Sequence, residues 1–176
     1  MRKNKLVFSN EEYNSGDGML TSVWGPPLWH AIHTISFNYP VNPTKNDKEN
    51  YMNYFKSLGN VLPCSYCRNN YKENIKKLSF NKSVFKNRET LSKWVFKLHE
   101  LVNKNLGKKS GLTYNIVRDR YEHFRARCLN TTKNKEKGCT KSLYGVKSKC
   151  VLNIVPKKSK KKSLKIDSKC KIKRKK

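Results

Sequence analysis

No run of this 176-residue chain approaches the roughly 18 consecutive apolar residues that would cross a bilayer, which excludes a helical membrane span. Acid is scarce: 12 Asp and Glu face 40 Lys and Arg, a formal net charge of +28. The imbalance is uneven, since Leu129 to Lys176 holds 18 basic and 2 acidic residues, or +16 of that total. Apolar residues are also few, at 36% against roughly 45–50% in an average globular domain, so part of the chain is expected not to fold. Strand-like alternation is essentially absent. Six cysteines, spread from Cys64 to Cys170, are too few and too uneven to frame a small disulfide-stapled domain. The start, Met1-Arg2-Lys3-Asn4-Lys5, carries the charge of a secretory n-region. Leu6-Val7-Phe8 then gives way at once to Ser9, Asn10 and two glutamates, which argues against a cleaved signal peptide.

What is present is helical periodicity. Residues 1–20 show no sustained period and read as a flexible arm. Pro26 and Pro27 suit the first turn of a helix, with Leu28, Ile32, Ile35 and Tyr39 on one face and Pro40 as its stop. Asn46 is the expected cap of a second helix whose apolar face is Tyr51, Tyr54, Phe55 and Leu58, closed by Gly59. Pro63 resets the chain before a third, short helix running from Cys64 toward Ile75. Asn87 caps a fourth, with Leu91, Trp94, Val95, Leu98 and Val102 at helical spacing, ended by Gly107. Thr113 caps a fifth carrying Val117, Tyr121, Phe124 and Cys128. The expected fold is all-α, a bundle of about five helices joined by short loops over residues 21–128. A lysine-rich tail follows over 129–176 and is expected to be disordered.

Cys64-Ser65-Tyr66-Cys67 can serve metal binding or thiol–disulfide exchange. A structural zinc needs a second ligand pair at finger-like spacing, and none lies nearby, so no metal site is expected. Exchange chemistry fits better, because a cysteine in the first turn of a helix meets the positive end of the macrodipole and gains thiolate character. The strand–helix alternation that surrounds such a motif in thioredoxin-like enzymes is missing. Two thiols alone reshuffle disulfides but react poorly with dioxygen, so making disulfides calls for a cofactor able to take two electrons and release them singly.

Trp29-His30-Ala31-Ile32-His33, then Tyr39-Pro40, then the CxxC of Cys64 and Cys67, then His99-Glu100-Leu101-Val102-Asn103-Lys104-Asn105-Leu106-Gly107-Lys108 resembles, in this order, the Erv/ALR family of FAD-linked sulfhydryl oxidases. The resemblance implies a four-helix bundle plus a short fifth helix, with non-covalent FAD among the helices, and a homodimer. It implies that Trp29, His33 and Tyr39 line the flavin site from the first helix, and His99, Val102 and Asn103 from the fourth. Cys64 would exchange with the substrate, while Cys67 sits against the flavin. Lys108 and Lys109 stand where the family places a basic residue near the phosphates, or else form a solvated helix end. Tyr121, with Arg120, covers the adenine or packs in the core. Glu100 and Lys109 depart from the family's usual Asn and Pro. Near Thr113 many members carry a cysteine bridged to one at the end of the fifth helix; this chain has only the second, Cys128, which is either a free buried thiol or the partner of a tail cysteine.

The function implied is oxidation of protein dithiols to disulfides, with electrons passing through FAD to oxygen to give hydrogen peroxide. The alternative from another class is a nucleic-acid or acidic-partner binding protein built on a helical scaffold. Charge of this size binds phosphate without sequence preference, and non-specific nucleic-acid contact through the tail is expected under either reading. High lysine, asparagine and tyrosine content, together with the resemblance, points to a large DNA virus and hence to host cytoplasm or virion. Cys139 and Cys150 are the expected pair if the tail relays electrons to Cys64.

Overall fold

The computed structural model describes residues 7–127, 138–139, 141–143, 150–152 and 164–166. Helix α1 (Asn10–Tyr13) is a single turn closed by a capping box between Ser9 and Glu12, so residues expected as an unstructured arm contain a local fold. Helix α2 (Thr21–Asn38) begins five residues earlier than the prolines suggest, and Pro26 and Pro27 lie inside it. Their missing N–H groups leave the carbonyls of the first turn unpaired. That turn is held instead from outside, by Trp24 Nε1–H donating to the Met19 carbonyl at 2.9 Å.

Helix α3 (Lys45–Val61) is capped by Thr44, not Asn46. The Thr44 hydroxyl accepts from the Asp47 N–H while the Asp47 carboxylate accepts from the Thr44 N–H, a reciprocal arrangement that a lone Asn46 could not supply. Gly59 does not end this helix; it is buried within it. A β-carbon there would come within 3.2 Å of Lys72 and 3.3 Å of the Tyr71 ring, so the glycine lets α4 (Ser65–Lys77) approach α3 closely. A 3-10 turn (Lys82–Phe85) leads to α5 (Arg88–Asn105), capped by Asn87 as expected. Gly107, at φ +65°, follows its C-cap. Helix α6 (Tyr114–Glu122) is capped by Thr113 and stops short of Phe124.

The core is aromatic. Tyr39, Phe55, Phe85, Leu91, Val95 and Leu98 are fully buried, and Trp94 meets Phe55 edge-on at 5.6 Å. Helix α2 packs chiefly on α5, α3 on α4, and α6 against α2 and α5. Helix α2 has no basic residue in its last turn, yet its terminal carbonyls are satisfied from elsewhere. Arg125 Nη2 donates to Phe37 O at 2.9 Å, and Arg88 Nε donates to Tyr39 O at 2.7 Å. The bundle is thus all-α as expected. Two antiparallel ladders follow it, β1 (Ala126–Arg127) with β2 (Lys141–Ser142) and β3 (Cys150–Leu152) with β4 (Leu164–Ile166). Strands of two or three residues are too short to show a period in sequence. The fate of Cys128, and the disorder expected over most of residues 129–176, lie outside the described residues.

Gly59→Val is expected to lower stability by roughly 1–3 kcal/mol, because the added branches must displace a ring whose hydroxyl is held by Phe55 O at 2.8 Å. Urea denaturation checks this, and a change under about 0.5 kcal/mol would show that α3 and α4 separate freely.

Candidate active site

Cys64 is the N-cap of α4, and its Sγ accepts from the Cys67 N–H at 3.2 Å. A sulfur therefore occupies the place where Ser or Asp commonly satisfies a first-turn N–H. Both thiols are free and partly exposed, but only Cys67 packs against the hydrophobic core. Their acidities diverge. The Cys64 thiol is lowered, first by the hydrogen bond from the Cys67 side chain, then by the N–H groups of Cys67 and Tyr66 and the charge of Arg68. The Cys67 thiol is pushed up to about 11, chiefly by burial and then by its neighbour. The first proton to leave the pair is Cys64's, which in thiol–disulfide exchange favours the outward sulfur as thiolate and as leaving group.

The loop before the pair is fixed by its own carbonyls. Leu62 O accepts from the Cys64 N–H at 2.7 Å and from Arg68 Nη1 at 2.7 Å, and Pro63 O accepts from the Met19 N–H at 2.8 Å.

A second cluster joins α2, α5 and α6. Trp29 stacks on His99 with ring centroids 4.0 Å apart and planes 2° from parallel. Nε2 of His33 faces Nδ1 of His99 at 3.0 Å. Tyr121 stacks on His33 at 5.2 Å and on Phe37 at 5.1 Å. Spacing explains the placement: Trp29, His33 and Phe37 recur every four residues on one face of α2. His33 is buried, and burial, followed by the nearby His99 and His30, drives its pKa down to about 3. His99 is lowered too, mainly by burial, with Lys108 contributing and Glu100 opposing. Both imidazoles are neutral near pH 7. One proton then serves the Nε2···Nδ1 contact, and Nδ1 of His33 is left buried with no partner.

The expected site residues divide. Trp29, His33, His99 and Tyr121 come together, and Lys108 lies close enough to act electrostatically on His99. Asn103 donates from Nδ2 to Glu100 Oε1 at 3.1 Å one turn further along α5, and Val102 is half-buried beside it. Tyr39 is not in this group. It is fully buried with Tyr51 and Phe85, and its hydroxyl donates to Phe85 O at 2.9 Å. Trp94 is core, as expected, with Nε1 donating to Leu78 O at 3.2 Å. Sequence reasoning passed over His30, whose Nδ1 lies 3.3 Å from the Tyr121 hydroxyl, and over Phe37 and Tyr114, which stack 6.2 Å apart. The four-residue step from His33 to Phe37 was the available signal. Among the described residues no cluster of His, Cys, Asp and Glu could hold a metal ion.

Because His33 binds its proton far less readily folded than unfolded, the unfolded chain holds more protons between about pH 6.5 and 3. Stability therefore falls as pH drops through that window. Urea denaturation of the flavin-free protein should lose up to about 1.4 kcal/mol per pH unit from this group. His33→Gln should flatten most of the difference, and parallel curves for the two proteins would show that His33 is not held neutral.

The family model described as the Erv1 / Alr family matches residues 26–122. A protein named a probable FAD-linked sulfhydryl oxidase from Acanthamoeba polyphaga mimivirus is 42% identical over 91 residues, 52% of this chain and 63% of that one. An FAD-linked sulfhydryl oxidase of African swine fever virus (isolate Pig/Kenya/KEN-50/1950) is 30% identical over 86 residues, 49% of this chain and 70% of that one. The match to the mitochondrial FAD-linked sulfhydryl oxidase of Saccharomyces cerevisiae spans 53% of that protein, and the match to an Arabidopsis thaliana relative spans 42%. The chain thus spans about half the length of these cellular relatives. Among solved structures, the yeast Erv1 core superimposes with a TM-score of 0.53 at 23% identity, covering 66% of this chain and 96% of that one. The FAD-binding domain of yeast Erv1 gives 0.50 at 26% identity, covering 55% and 89%. With more than half of its residues matched by that model, and with its helical bundle shared by the solved core, this chain belongs to the Erv1/Alr family.

Proposed function

We propose that the chain is an FAD-dependent thiol oxidase that converts dithiols of protein substrates to disulfides. The observation that carries this reading is the split pair at the start of α4, an outward Cys64 of lowered pKa and a core-facing Cys67, within a bundle of the Erv1/Alr family. The aromatic cluster suits FAD, whose flat rings need apolar stacking walls and a few buried polar partners. The unpartnered Nδ1 of His33 is such a partner. Trp29, His33, His99 and Tyr121 would hold the dinucleotide, with Val102 and Asn103 bordering it from α5 and Lys108 near its phosphates. Tyr39 acts indirectly, by anchoring the end of α2. When bound, FAD takes the electron pair delivered by the cysteines and passes it to oxygen, giving hydrogen peroxide.

The protein's own steps are thiol chemistry. A substrate thiolate attacks Cys64 Sγ of the oxidised pair, the Cys64–Cys67 bond breaks, and Cys67 leaves with the electrons. The substrate's second thiolate then attacks the mixed disulfide and releases Cys64, whose lowered pKa makes it a good leaving group. The neutral state of His33 and His99 adds no imidazolium charge to the aromatic cluster at neutral pH.

Purified protein supplied with FAD should show the yellow flavin spectrum and consume oxygen with dithiothreitol. The double variant Cys64→Ser, Cys67→Ser should keep the spectrum and lose the uptake. Uptake that survives in the double variant, or a protein that takes up no flavin, would end this reading.

The tail supports two additions. Its +16 charge favours non-specific contact with nucleic acid. Cys139 is disulfide-bonded, which suits a relay of electrons from substrates to Cys64 by way of the tail. Truncation after Asn130 should reduce turnover of a reduced protein substrate steeply and abolish DNA retention, while turnover of dithiothreitol persists. Equal rates on both substrates with and without the tail would leave it an electrostatic role alone. Viral relatives favour a virus-encoded protein acting in host cytoplasm or virion, and the resemblance favours a homodimer.

A further inference from the structure

The segment 17–20 precedes the residues matched by the family model and lies against the backbone of Pro63 and Cys64. Met19 N–H donates to Pro63 O at 2.8 Å, and the Met19 carbonyl is in turn held by Trp24 Nε1. Gly18 makes the contact possible: a β-carbon there would stand 2.7 Å from the Pro63 oxygen and 3.1 Å from Cys64 Cα. Backbone is therefore strapped on backbone at the residue that exchanges with substrate. Met19 and Leu20, on this strap, are 69% and 68% exposed, while Val61 and Tyr66, flanking Cys64 in the chain, are 68% and 71% exposed. Scattered singly, exposed apolar side chains are ordinary; here four lie on the strap and on the stretch of chain around Cys64.

We infer that Met19 and Leu20, with Val61 and Tyr66, form the surface that receives an extended apolar segment flanking the reduced cysteine pair of the substrate protein. The strap is then a specificity-determining element. The inference rests on the oxidase reading and names a substrate class for it. Its ground is geometric. The mixed disulfide brings the substrate's cysteine Cα within roughly 4.4–6.8 Å of Cys64 Cα, so the residues on either side of that cysteine must lie on whatever borders Cys64. In this chain that border includes these four exposed apolar side chains, with the charge of Arg68 also acting on Cys64. The chemistry is that described above: the substrate dithiol loses two electrons and two protons as its disulfide forms, and the Cys64–Cys67 disulfide gains both as it is reduced.

The experiment uses the full chain loaded with FAD and follows oxygen uptake with three reductants. They are dithiothreitol and two synthetic CxxC peptides, one flanked by Leu and Phe, the other by Ser and Asn. The apolar peptide should be turned over with a kcat/KM about tenfold above the polar one, as expected for burial of one or two apolar side chains. Met19→Ser with Leu20→Ser should erase that preference while the dithiothreitol rate, which needs only the two thiols, stays within about twofold. Gly18→Val, which forces the strap off Pro63, should do the same, with an unchanged thermal midpoint of the bundle showing that the fold persists. Equal rates for the two peptides on the unaltered chain, or an equal fall for all three reductants in both variants, would overturn the inference. So would loss of the preference on truncation after Asn130, which would place the preference in the tail and not in the strap. Absence of dithiothreitol turnover by the unaltered chain is a different failure: it removes the oxidase reading, and this one with it.

Discussion

A helix of this bundle is capped by sulfur, and the chemistry depends on that. Cys64 closes the first turn of α4 by accepting from the Cys67 N–H, which fixes the two sulfurs one turn apart and exposes Cys64 to the positive end of the helix. A Ser or Asp cap would stabilise the helix at least as well. A thiol there is a weaker acceptor, and the helix is held in compensation by tertiary contacts, with Tyr71 donating to Phe55 O and Gly59 admitting the close approach of α4 to α3. The cost of the cap is thus carried by the α3–α4 interface, which lies away from the reacting atoms.

The other half of the site depends on desolvation. Helix α2 packs on α5 through stacked and hydrogen-bonded rings, so the buried His33 and the half-buried His99 are neutral where surface histidines would titrate near pH 6.5. Burying His33 with Nδ1 unpaired is a net loss in the protein alone. Such a loss is tolerated when a bound group supplies the missing partner, and the aromatic walls are of a kind that a flat ring system fills. The same unpaired atom that weakens the flavin-free bundle is the one that marks where a ligand adds stability.

Sequence periodicity located five of the helices because each buries one face, and Leu91, Trp94, Val95 and Leu98 on α5 are all buried as their spacing requires. Helix ends were less legible. Thr44 competes with Asn46 as a cap, and only the reciprocal bond with Asp47 decides between them. Gly59 has the residue type of a terminator, but its meaning is tertiary, set by Tyr71 and Lys72 from another helix. Trp29, His33 and His99 were legible as motif residues. That they stack on one another, or that Tyr39 spends its hydroxyl on Phe85 away from that cluster, is a property of how α2 lies on α5 and cannot be read from spacing within either helix.

Charge, the most obvious feature of the composition, does little for this fold. The ion pairs Lys76–Glu73 and Lys93–Glu89 are exposed and local, of the kind that contributes little to stability. The cations that matter structurally are Arg68, Arg88 and Arg125, and they act as hydrogen-bond donors to the carbonyls of Leu62, Tyr39 and Phe37. Arginine suits this use because its planar fork reaches a buried carbonyl while its charge stays partly solvated. Lysine supplies most of the excess, and Lys108 near His99 acts through space on a histidine already neutral. Folding and electrostatics are therefore separable here: the bundle is organised by rings, caps and three arginines, and the lysine excess is free to be set by what the surface and tail must meet.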